Sequence, residues 1–204
     1  GQEPVFIFDP QDSSNRPHPQ EHRNALLSWP LYPQFLKNLF IQSFTQGIYN
    51  PDQRVREGQW RKVMLRLKDA IFYCDRCGAE NFYAPAQMKN DNPGKCWNCK
   101  QELKLPYRII LDNTIENMVM LTHEAKLYPH HLQSASRRDF STTLAKVVQH
   151  PQDPSIWGLK NLGGADWQVT TKRNETKKVK PEQSAVLGAG VKINFGTCQG
   201  QIIY

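Results

Sequence analysis

The sequence predicts an α+β chain in three parts: an N-terminal helical segment over residues 1–71, a small four-cysteine module over 72–104, and a C-terminal antiparallel β-sandwich over 105–204. Three observations predict it. Apolar residues between 25 and 70 recur at helical spacing. Two Cys-x-x-Cys pairs follow, separated by 18 residues, in a chain with five cysteines. Beyond residue 105 the period shortens, and β-prone runs alternate with turn residues.

The first part opens on Pro-, Asn- and Asp-rich chain, "FDPQDSSNRPHPQ", preceded by one apolar patch, "VFIF", and reads as loop. Leu27, Leu31, Phe35, Leu39, Phe40 and Phe44 then predict a helix over about 33–47, ended by Gly47 as a C-cap. After the turn "NPDQRVREGQW", a second helix is expected from Trp60 to Tyr73, with Val63, Leu67 and Ala70 facing inward. Arg61, Lys62, Arg66 and Lys68 would form its solvated face.

The cysteine module holds Cys74-x2-Cys77-x18-Cys96-x2-Cys99. Each pair suits a tight knuckle that presents both sulfurs to one ion, and the spacing lies within the range of four-cysteine zinc sites. Gly78 stands where the first knuckle must turn, "NPGK" gives a turn before the second, and "AENFYA" offers a strand between them. Residues 72–104 therefore read as a zinc ribbon with a structural Zn2+ on Cys74, Cys77, Cys96 and Cys99. Disulfides, an iron–sulfur cluster and a thioredoxin-like redox pair are the rival readings. The redox pair expects a βαβ context that the sequence lacks. Cys198, in "FGTCQG", reads as a buried small residue.

The third part contains "YRIILD", "MVMLT", "AKLYPH", "LAKVVQH", "IWGLKNL", "WQVTT", "KKVKP", "SAVL" and "VKINFG", each a short strand candidate. Close spacing with glycine-shaped loops between them predicts the sandwich. Trp29, Trp60, Trp97, Trp157 and Trp167 read as core and domain-interface anchors, with Trp97 also a candidate exposed anchor for a partner.

The net charge is +7, and its placement carries more than its size. Residues 126–180 hold ten Lys/Arg against four Asp/Glu, whereas 74–104 hold five against four. The excess thus sits in the β-rich part, away from the cysteines. Candidate partner- or anion-binding residues are His130, His131, Arg137 and Arg138, together with Lys172 and Arg173 in the basic run "TKRNETKKVK", where Asn174 suggests a hairpin tip. No apolar run is long enough to span a membrane, and no secretory signal pattern opens the chain, so a cytoplasmic location is the expectation. No nucleophile elbow, His-Glu-x-x-His or Walker loop is present, so no catalytic residues are expected.

Two resemblances rest on longer stretches. "YPQFLKNLFIQSFTQGIYNPDQRVREGQWRKVMLRL" (32–67), with Asn50-Pro51-Asp52-Gln53-Arg54 between two helices, resembles the end of the C-lobe of eukaryotic-like Ser/Thr kinases. In that family the arginine pairs with a buried glutamate of the activation segment, which implies a structural Arg54, with Trp60 opening the last helix. The Gly-rich loop, the His-Arg-Asp and the Asp-Phe-Gly of such kinases are not in this sequence. "IWGLKNLGGADWQV", "VKPEQSAVLGAGVKINFG" and "GQII" resemble a forkhead-associated-like sandwich, although "KLYPHHL" stands where that family has its phosphothreonine-binding Gly-Arg. Together the order is similar to the C-terminal region of bacterial Ser/Thr kinases encoded beside von Willebrand factor A and metal-dependent Ser/Thr phosphatase proteins. The resemblance implies a non-catalytic regulatory module that binds an acidic or phosphorylated protein partner. The alternative is a zinc-ribbon protein that binds nucleic acid.

Overall fold

The computed structural model describes residues 4–88, 91–133 and 139–204. The chain is mixed helix and antiparallel sheet, in two compact units, Gly1–Leu103 and Lys104–Tyr204.

The first unit begins with loop chain whose Phe8 stacks on Trp29, with ring centroids 4.4 Å apart and planes 4° from parallel. Helix α1 (Arg23–Ser28) passes into a 3-10 turn (Trp29–Leu31) with Pro30 at its start, and α2 (Gln34–Phe44) opens after Pro33. Phe6 stacks on Phe44, and Phe40 meets both Trp29 and Trp60 edge-on, so an aromatic cluster fills the space between loop and helices.

Gly47 does not cap the first long helix. That helix breaks two residues earlier, at Thr45 (φ −119, ψ −89), whose hydroxyl donates to the Ile41 carbonyl at 2.7 Å and competes with the helical ladder. Gly47 lies buried inside the short α3 (Gln46–Tyr49). A Cβ there would sit 3.1 Å from the Gln42 carbonyl oxygen and 3.4 Å from the Arg54 Cα, so close approach selects the glycine. Asn50 then opens a 3-10 turn (Pro51–Gln53) by accepting the Asp52 N–H at 3.0 Å.

The second long helix also differs from its expected bounds. It runs as α4 (Glu57–Asp69), starting early because the Gln59 carboxamide accepts the Arg56 N–H at 2.8 Å and Glu57 ion-pairs with Arg61 on the first turn. It stops at Asp69 because Ile71–Tyr73 forms strand β1, paired antiparallel with β2 (Glu80–Phe82). Arg66 is not simply solvated: its guanidinium lies 4.2 Å from the Phe35 ring centre, a cation–π contact between α4 and α2.

The second unit is built of β3 (Arg108–Leu111), β4 (Met118–Met120), β5 (Lys126–Leu127), the one-turn helix α5 (Pro129–Leu132), β6 (Ala145–Gln149), β7 (Trp157–Asn161), β8 (Trp167–Thr170), β9 (Thr176–Val179), β10 (Ser184–Val186), β11 (Lys192–Asn194) and β12 (Gln199–Ile203). They form a four-stranded sheet, β10-β7-β6-β5, and a six-stranded sheet, β4-β3-β12-β11-β8-β9, antiparallel throughout. Alternation turns Leu159, Val147 and Ala185 of the first sheet, and Val169, Ile193, Ile202 and Ile109 of the second, into one core. Trp167 and Phe195 meet edge-to-face within it, and Cys198 is buried there too, its thiol pushed up to about 12 by burial and by the Asp112 carboxylate.

Candidate metal centre

The four cysteines sit at the tips of two hairpins of the first unit. β1 and β2 flank the first tip, Cys74 to Ala79. The second hairpin is closed by a Lys95–Glu102 bridge and by the Leu103 N–H donating to the Gly94 carbonyl at 2.9 Å. The two tips repeat one hydrogen-bond pattern. Cys74 N–H donates to the Ala79 carbonyl (2.9 Å) and Gly78 N–H to the Cys74 carbonyl (2.8 Å); Cys96 N–H donates to the Gln101 carbonyl (2.8 Å) and Lys100 N–H to the Cys96 carbonyl (3.0 Å). Each knuckle needs a left-handed residue one place after its second cysteine, and Gly78 (φ 70) and Lys100 (φ 62) supply it.

This folding brings the sulfurs together. Cys74 Sγ lies 3.6 Å from Cys99 Sγ, Cys77 Sγ lies 3.7 Å from Cys96 Sγ, and all four lie within 4.8 Å of one another. Sulfurs bound tetrahedrally to one ion at about 2.3 Å stand about 3.8 Å apart, whereas a disulfide needs about 2.05 Å. The four cysteines could therefore hold one metal ion, and none is bridged to another. Cys74 and Cys96 are buried, Cys99 is half-buried, and Cys77 faces solvent.

The surroundings favour thiolate at Cys96 and Cys77. Burial pushes Cys96 up, but the backbone N–H groups of Cys99 and Asn98 and the neighbouring thiols outweigh it and hold Cys96 at about 6. The Ala79 N–H lowers Cys77. At Cys99 the Gln101 N–H favours the anion, yet burial and the three other sulfurs push the thiol up to about 11. Around this set, Asn98 donates its amide to Cys77 Sγ at 3.7 Å. Trp97 is half-buried and donates its indole N–H to the Glu80 carbonyl at 2.9 Å, so it ties one hairpin to the other rather than standing out as an exposed anchor.

Arg54 donates through Nε to the Gly47 carbonyl at 3.0 Å and holds the turn before α4 against α3. Trp60 packs edge-on to Phe40, centroids 5.0 Å apart. No protein-family model, curated protein or solved structure matches this chain.

Of the residues read as anion-binding, His130 and His131 lie on α5 and Lys172 and Arg173 on the β8–β9 turn. His131 accepts the Tyr128 N–H at Nδ1 (3.0 Å) and so caps α5, which spends one ring nitrogen on structure. The His130 ring lies tilted to those of His131 and Phe140, with centroids 3.8 and 4.4 Å away, and stacks on Tyr128 at 5.8 Å. Arg137 and Arg138 lie outside the described residues. Lys172 and Arg173 are exposed on the β8–β9 turn, where Asn174 takes φ 61 and its N–H donates to the Thr171 carbonyl at 2.9 Å. One residue with a large role escaped the sequence reading: Asn161, wholly buried at the end of β7. Its signal was a carboxamide at an inward strand position, two residues after Leu159 and just before Gly163-Gly164.

Proposed function

We propose that this chain is a non-catalytic regulatory module of a bacterial Ser/Thr kinase signalling system, docking an acidic or phosphorylated protein. The observation that carries the reading is the β8–β9 hairpin: Lys172, Arg173, Lys177, Lys178 and Lys180 are all exposed within nine residues, with Glu175 as the single acid. The kinase connection is supported by Asn50-Pro51-Asp52-Gln53-Arg54 lying between α2–α3 and α4 as in the C-lobe tails it resembles, and by the two antiparallel sheets that follow the cysteines.

In this reading the ion is Zn2+, because four thiolates at tetrahedral spacing suit it and leave no open position for chemistry. Cys74, Cys77, Cys96 and Cys99 would hold it as a zinc ribbon, and its contribution is to fold two short hairpins that bury little on their own. Among the described residues no helix is long and apolar enough to cross a membrane.

The test is capture of partners from a bacterial lysate by the intact chain and by the Lys172→Glu/Arg173→Glu variant. Loss of a phosphorylated or acidic protein with the variant supports the reading. Identical captures would overturn it. A parallel gel shift at two salt concentrations decides against it if random duplex binds with a steep salt dependence while no protein is retained.

A further inference from the structure

Among the described residues, the basic β8–β9 hairpin carries an open sheet edge. β9 ends the order β4-β3-β12-β11-β8-β9 and, among the described residues, pairs only with β8. The Thr171 N–H donates to the Glu175 carbonyl at 2.9 Å, so 171 and 175 form a hydrogen-bonded pair. Alternation along an antiparallel ladder makes Val169 and Lys177 the next such pair. Thr170 and Thr176 are the close, non-bonded pair between them, with their hydroxyl oxygens 3.0 Å apart. It follows that Thr176 and Lys178 turn their N–H and C=O groups away from β8, toward the open side. At the far end Val179 pairs with Trp167 and turns its main chain back toward β8, its carbonyl also accepting Asn161 Nδ2 at 3.1 Å, so the outward-facing positions are Thr176 and Lys178.

Charge decides what this edge can accept. Lys177 and Lys178 are neighbours on a strand, so one projects from each face of the sheet, and Lys172, Arg173 and Lys180 flank them, all exposed. Lysines on an edge normally prevent pairing with another copy, because like charges then face each other across the new ladder. An incoming strand with carboxylates or phosphates at the opposing positions turns that penalty into attraction.

We propose that the β9 edge receives an acidic, extended peptide segment as an additional antiparallel strand, hydrogen-bonded to Thr176 and Lys178 and flanked by the Lys177 and Lys178 ammonium groups. The proposal rests on the acidic-partner reading above and specifies how that partner docks: through backbone pairing, with charge selecting the sequence. Thr176 and Lys178 thus act through their main chain, and Lys177 and Lys178 through their side chains.

The test uses the full chain and a synthetic peptide of alternating glutamate and threonine, in three forms: unmodified, with phosphothreonine in place of glutamate, and with alternate backbone nitrogens methylated in each of the two possible phases. The expected result is binding of the acidic peptides, a loss of at least about tenfold for one methylation phase and little for the other, and slowed amide exchange at Thr176 and Lys178 but not at Lys177. The carboxylate and phosphate forms rank the two acidic groups. Thr176→Pro, which keeps every charge and removes one outward N–H, is expected to weaken binding by a similar factor; should that variant fail to fold, the methylated peptides decide alone. Acidic peptides that bind equally well in both methylated phases would overturn the added strand while leaving charge-based docking in place. No binding by any acidic peptide would remove both readings together.

Discussion

Asn161 and Val179 join the two sheets of the second unit. The Asn161 carboxamide, at the end of β7, donates to the Val179 carbonyl of β9 at 3.1 Å and to the Ala165 carbonyl at 2.9 Å, and its oxygen accepts the Gly163 N–H at 3.0 Å. Its main chain adds a bond from its N–H to Gln183 and one from Glu182 to its carbonyl, both 2.8 Å. One fully buried side chain thereby anchors a loop and a strand of the facing sheet.

Asn161→Ala should lower stability by about 2 kcal/mol, because it removes three side-chain hydrogen bonds, of which the one to the Val179 carbonyl is buried. Asn161→Asp should cost more, since a carboxylate would then face two carbonyl oxygens. Urea unfolding followed by tryptophan fluorescence checks both. A loss below about 1 kcal/mol for the alanine variant would show that water replaces the amide.

Removal of the metal should unfold the cysteine hairpins and leave the β-rich unit intact. Among the described residues, the core of that unit draws on Tyr107 and residues beyond it, none of them a thiolate of the cluster. One zinc per chain is expected by elemental analysis, falling to nearly none in Cys96→Ser. Amide spectra after chelation should lose the dispersed resonances of 71–83 and 94–103 while retaining those of β6, β7 and β11.

Metal loading at pH 7 should release fewer than four protons per ion. Cys96, depressed to about 6, is already ionised there, whereas Cys99, raised to about 11, still carries its proton. The sign follows: a depressed thiol favours the folded, metal-ready cluster fully above the free-thiol value of 9.0, less so below it, and no longer once pH has fallen through about 6. Affinity should therefore drop steeply below that pH. Calorimetry in two buffers of different ionisation heat counts the protons, and a count of four at pH 7 would refute the assignment.

Gly78→Ala and Lys100→Gly should move stability in opposite directions. Both positions are left-handed, and nothing lies within 4 Å of a Cβ built on Gly78, so only backbone strain opposes the alanine. The expected changes are about 1 kcal/mol lost in the first case and somewhat less gained in the second, where the Lys100 Nζ bond to the Trp97 carbonyl (2.7 Å) is forfeited. Thermal melts of the metal-loaded protein read both.

Much of this was legible in the residues themselves. The knuckles announce their geometry because two ligands separated by two residues close a local turn. The strand runs of the second unit, such as "LAKVVQH" and "VKINFG", lie where β6 and β11 are found, since alternation is a nearest-neighbour pattern. The apolar residues of Ile71–Tyr73 continue the α4 pattern and so read as helix; only pairing with Glu80–Phe82 makes the segment a strand. Lys100 gave no sign of a left-handed backbone, and His131 gave no sign of capping α5, because each depends on what its neighbours in space require.

By itself, then, the amino-acid order determined the four-thiolate set, the antiparallel character of the second half and the basic run at 171–180, all of which rest on short-range spacing. The tertiary structure alone decided that β9 is an edge, that Asn161 bolts one sheet to the other, and that the four sulfurs converge within the span of one ion. Those outcomes depend on contacts between residues far apart in the chain, whose energies local pattern does not encode.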